Sequence, residues 1–155
     1  MNEHYKKTIL LIVKDMEKEI GKNAMQSLFD SGSNQNGEKK VGCNQFREIA
    51  NDCRVADCYE EILLLVQYTE AKSKNDVSWK TKCDNGKTFG QTVVAGMEKV
   101  CQACEVSEWS KKQEVLQLYF GYLYWQSRVW ADMQPRQQHG GNGGRPNFNR
   151  NNNRR

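Results

Sequence analysis

Both prolines of this 155-residue chain, Pro135 and Pro146, lie in its final stretch, so residues 1–134 are free to be helical throughout. The apolar residues use that freedom. In residues 3–21, Tyr5, Ile9, Ile12, Val13, Met16 and Ile20 recur at the three-and-four spacing of one buried helix face. The pattern can resume after a break at Gly21 with Ala24, Met25, Leu28 and Phe29. Residues 31–40 (SGSNQNGEKK) hold two glycines and nothing apolar, and read as a loop. A short second helix, 44–53, places Phe46, Ile49, Ala50 and Cys53 inside. The third begins at Asp57, whose spacing to Glu60 is that of a capping box. It runs through Tyr59, Ile62, Leu63, Leu65, Val66 and Tyr68 to about Ser73. A polar stretch, 74–87, separates it from a fourth helix opened by the capping pair Thr88 and Gln91 and carrying Phe89, Val93, Met97, Val100, Cys101 and Cys104. A fifth runs from near Ser107 to about Met133. The expected fold is all-α: a single compact bundle of about five helices formed by residues 1–134.

The fifth helix holds three of the four tryptophans. Leu116, Phe120, Leu123 and Trp130 make one stripe; Val115, Leu118, Tyr122, Trp125, Val129 and Met133 make a second. Together they cover roughly 220° of the helix circumference, where a surface helix needs only about 100°. The helix is therefore either central to the bundle or divided between the core and a partner. Glu114, Gln117, Gly121, Tyr124, Arg128 and Asp132 form the remaining polar sector, with Tyr124 and Arg128 one turn apart. An aromatic beside a guanidinium can hold RNA; it can equally be a surface cation–π contact.

Residues 135–155 (PRQQHGGNGGRPNFNRNNNRR) contain no acid and one phenylalanine. Arg136, Arg145, Arg150, Arg154 and Arg155 give this stretch a formal charge of +5, against +4 for the whole chain, so the remainder is slightly negative. A segment of this composition cannot offset its ordering entropy by apolar burial, and it is expected to be disordered until it meets a polyanion. Arginines spaced along a flexible arm grip nucleic-acid backbone, and Phe148 could stack on a base. A purely solubilising terminus is the alternative.

Other classes find little support. The apolar run 9–13, flanked by Lys6, Lys7 and Lys14, falls far short of the roughly 20 residues of a membrane span. No membrane partner is expected, and the chain reads as cytoplasmic. Its six cysteines are then thiols rather than a disulfide framework. Cys53 and Cys58 with Cys101 and Cys104 could form a four-thiolate zinc site or a redox pair. However, Cys53, Cys101 and Cys104 continue the apolar helix spacing, which favours core packing and no metal. Phosphate-loop, dinucleotide, nucleophile-elbow and zinc-protease motifs are absent. The two histidines, His4 and His139, lie near the ends, so no base stands in the body to activate a nucleophile. Neither catalysis nor a cofactor is expected.

Three segments carry a family likeness. Asn44-Gln45-Phe46-Arg47 opens the second helix with a Gln-apolar-Arg segment. Leu63-Leu64-Leu65-Val66-Gln67-Tyr68 is followed by Ala71-Lys72, and Phe120-Gly121-Tyr122-Leu123-Tyr124-Trp125 closes the last helix with aromatics. In this order, over about residues 41–133, the chain resembles the small subunit of type III CRISPR–Cas effector complexes. That resemblance implies a non-catalytic helical bundle contacting guide RNA and target RNA through sugar and phosphate. It also implies packing against the backbone and large subunits and against copies of itself. By the resemblance, Arg47 and Lys72 are backbone contacts. The reading of the residues adds Arg54, Lys74, Tyr124, Arg128 and the tail arginines Arg136, Arg145 and Arg150. A stand-alone nucleic-acid chaperone acting through the tail is the competing reading.

Overall fold

A computed structural model describes residues 3–29, 43–73 and 78–134 of the chain. Among the described residues there are six helices: α1 (Glu3–Ile20), α2 (Lys22–Leu28), α3 (Cys43–Val55), α4 (Tyr59–Lys72), α5 (Phe89–Ala103) and α6 (Trp109–Met133). They contain no β-strand beyond one isolated antiparallel bridge, Lys82 to Thr88. The all-α expectation stands. The count is six rather than about five, because Gly21 separates α1 from α2 instead of merely bending one helix.

The physical reason lies at Gly21. Its φ is +85°, a conformation glycine adopts without steric cost, and the last α1 carbonyls need donors there. They find them across the chain: Asp84 N–H donates to the Ile20 carbonyl at 3.0 Å and Asn85 N–H to that of Glu19 at 3.1 Å. The Asp84 carboxyl lies only 2.2 Å from where a Cβ on residue 21 would sit.

The turn that supplies these donors comes from the stretch read as a polar separator, and that reading needs correction. Trp79 is fully buried, with Ser78, Thr81 and Cys83 buried beside it. Its indole N–H donates to Gln45 Oε1 at 2.8 Å. Around it, Phe29, Phe46, Phe89 and Trp130 form an aromatic cluster, with the Trp79 and Phe89 rings 5.2 Å apart. Phe46 comes from α3, Phe89 from α5 and Trp130 from α6, so one end of the bundle is closed by rings. Tightly packed rings contribute beyond their buried area.

Local signals succeeded unevenly. Thr88 and Gln91 form the expected reciprocal cap, at 3.1 and 3.0 Å. Asp57 and Glu60 do not. Helix α4 starts at Tyr59 with Cys58 at the cap position, and the Asp57 N–H is taken instead by Glu61 Oε1 at 2.8 Å. A carboxylate one residue later reaches back as well, which the three-residue spacing rule alone does not decide.

Helix α6 packs on α3, α1, α5 and α4. Both readings of its broad apolar surface hold together: Val115, Leu116, Tyr119, Phe120, Tyr122, Leu123 and Trp130 are buried, while Trp125, Val129 and Met133 face outward. Among the described residues, no helix is long and apolar enough to cross a membrane.

Candidate nucleic-acid interface

Helices α3 and α6 run antiparallel, as their side chains show. Near the α6 N-terminus, Gln113 Nε2 donates to the Cys53 carbonyl at 2.7 Å and the Arg54 carbonyl at 3.1 Å. Trp109 Nε1 donates to the Ala56 carbonyl at 3.1 Å. Further along α6, Tyr124 meets Arg47 from the start of α3, with the guanidinium carbon 5.7 Å from the ring centroid. Two of the residues singled out from sequence are thus brought together across helices.

That contact replaces the pairing expected within α6. The cation over the Tyr124 ring is Arg47 from α3 rather than Arg128 from its own helix, and α3 is packed on α6. Arg128 is exposed one turn beyond Tyr124, towards the start of α3. Arg54 follows Arg47 by two turns on the same side of α3 and is exposed, about 10 Å further along the axis. Arg47, Tyr124 and Arg128 therefore stand at one end of the α3–α6 seam and Arg54 towards the other. Lys72 is at the C-terminus of α4, its ammonium 5.0 Å from the centroid of the exposed Tyr68 ring. Lys74, Arg136, Arg145 and Arg150 lie outside the described residues.

The arrangement of Arg47 has chemical consequences. Its cation–π contact with Tyr124 sets a planar group rich in N–H donors at an exposed position, which suits it to a phosphate oxygen. A flexible lysine would lose more entropy on binding. One further pair escaped the sequence reading: the Lys112 ammonium lies 4.9 Å from the centroid of the Tyr59 ring. No spacing within either helix signals it, since the partners belong to α6 and α4.

The thiols behave as packing groups. Cys53, Cys83, Cys101 and Cys104 are buried and free, whereas Cys58 is exposed. Burial, with help from the Asp52 carboxylate, pushes the Cys53 thiol up to about 12. Burial takes Cys101 to about 11 although the Lys112 ammonium pulls it down. A nucleophilic or metal-binding cysteine needs the opposite shift. Among the described residues, no three Cys, His, Asp or Glu side chains converge as a metal-holding group.

The Tyr59 phenol, raised to about 12 chiefly by burial and then by Cys101, Glu98 and Glu60, carries a buried hydroxyl oxygen without a hydrogen-bond partner. Compared with family models, curated proteins and solved structures, the chain matches none.

Proposed function

We propose that this chain is a non-catalytic RNA-binding subunit of a larger ribonucleoprotein, and more narrowly the small subunit of a type III CRISPR effector complex. The stack of Arg47 on Tyr124 carries this reading. It offers a cation at an exposed helix seam, with Arg128 near it and Arg54 two turns further along α3. A protein that serves any guide sequence must read backbone rather than base edges, and such cations meet that need. The exposed stripe of Trp125, Val129 and Met133 supports an assembly role, because a protein partner would cover it. Five arginines in residues 135–155 add sequence-independent attraction for phosphate.

The test is recovery of the native protein from its host with sequencing of the RNA bound to it. Short RNAs sharing a repeat-derived handle are expected. A broad population of cellular RNAs, bound only while residues 135–155 are present, would replace this reading with the stand-alone chaperone. For the isolated protein, affinity for single-stranded RNA should fall steeply between about 50 and 200 mM salt.

A further inference from the structure

The surface of α3 and α4 away from the Arg47 stack holds a groove of about 540 Å³. Its apolar walls are Val55, Leu64 and Tyr68, which are 78, 66 and 57 % exposed. Two carboxylates, Asp52 on α3 and Glu61 on α4, also line it. An occupant should therefore present one bulky apolar group flanked by cations.

Residues 145–150 match that description. Arg145-Pro146-Asn147-Phe148-Asn149-Arg150 sets a single aromatic between two guanidiniums, in a stretch with no acid to oppose the groove carboxylates. We propose that this segment of one copy docks in the α3–α4 groove of a second copy, Phe148 against Leu64 and Tyr68 and the arginines towards Asp52 and Glu61. Paired guanidinium–carboxylate contacts would fix its register while the ring supplies the apolar burial.

Chain length selects the second copy. The groove includes Ala56, whose carbonyl holds Trp109 at the start of α6, whereas residue 135 follows the other end of that helix. Helix α6 has 25 residues and so spans ~37 Å. Phe148 lies 14 residues past Gln134, with a fully extended reach of ~48 Å, whereas an unconstrained chain of that length and composition spans on average only ~20 Å. Docking within one chain would draw this linker out past its average span. A neighbouring chain imposes no such stretch. The other groove, beside Gln134, is a poorer match: Glu17 is the single carboxylate among its lining residues, and Lys22 shares that lining.

The experiment uses full-length, nuclease-treated protein with Phe148 replaced by the photo-crosslinking analogue benzoylphenylalanine. Unlabelled and nitrogen-15-labelled chains are mixed, irradiated and mapped by mass spectrometry. Position 148 should join residues 52–68, with mixed-isotope pairs present. Leu64→Glu, at an exposed position, should lower the yield at least tenfold while the helical circular dichroism is unchanged. Exclusively single-isotope products, scattered attachment, no crosslink, or an undiminished yield in Leu64→Glu would each overturn the proposal.

Discussion

Gly96 and Tyr119 share one space between α5 and α6: a Cβ on residue 96 would stand 2.1 Å from the Tyr119 hydroxyl oxygen. That hydroxyl is fully buried and donates to the Val93 carbonyl at 2.8 Å. Gly96→Ala should destabilise the fold by about 1–3 kcal/mol despite alanine's better helix propensity, because a ring in a packed core has little room to shift. Tyr119→Phe alone should cost about 1 kcal/mol. Combined, the two should cost less than their sum, since losing the hydroxyl relieves the clash; urea unfolding of all three variants measures this coupling. Strict additivity would mean the helices separate freely at this point.

Trp79 should be among the most sensitive positions in the chain. Trp79→Ala removes a ring packed against Phe46 and Phe89 and should cost about 3–5 kcal/mol. Gln45→Ala leaves the indole N–H without its partner and should cost about 1–3 kcal/mol. Thermal unfolding reads both. An unchanged midpoint for Gln45→Ala would show that water satisfies the indole.

Arg47 and Tyr124 make the RNA-binding proposal quantitative. Tyr124→Ala should weaken single-stranded RNA binding by releasing the guanidinium it orients. Arg47→Ala should also reduce the slope of log affinity against log salt by about 1. Arg47→Lys, which keeps the charge and loses the planar fork of donors, should retain the slope with reduced affinity. Fluorescence anisotropy across a salt series distinguishes these outcomes. Equal affinity in all variants would place RNA elsewhere.

The buried thiols predict an alkaline limit to stability. Cys53 and Cys101 are raised to about 12 and about 11, against an ordinary thiol near ~8.5 in the unfolded chain. Below ~8.5 both states are protonated and the contribution is complete. As pH rises the unfolded chain ionises first, so stability is progressively lost through the folded values. Denaturation midpoints should hold level to about pH 8.5 and decline from there towards pH 11. Replacing both cysteines by alanine should lessen the decline, with Tyr59 and the other buried acids keeping the remainder; an unaltered pH profile would assign all of it to those groups.

What the sequence determined by itself were the features set within one or two helical turns. The buried faces of α1, α3 and α5 follow from three-and-four spacing, the α5 cap from Thr88 and Gln91, and the break at Gly21 from the one residue tolerant of positive φ. The candidate site is legible in the sequence as a set of cations and an aromatic, Arg47 and Tyr124 among them. Their stack was not legible, because it depends on α3 lying antiparallel to α6. Only tertiary packing decided that, as it decided the burial of Trp79 in a stretch that reads as polar and the donation of Asp84 and Asn85 to the end of α1. Local spacing specifies which face of a helix is apolar. Which helix meets that face, and at what register, is set by how the bulky side chains fill one shared core.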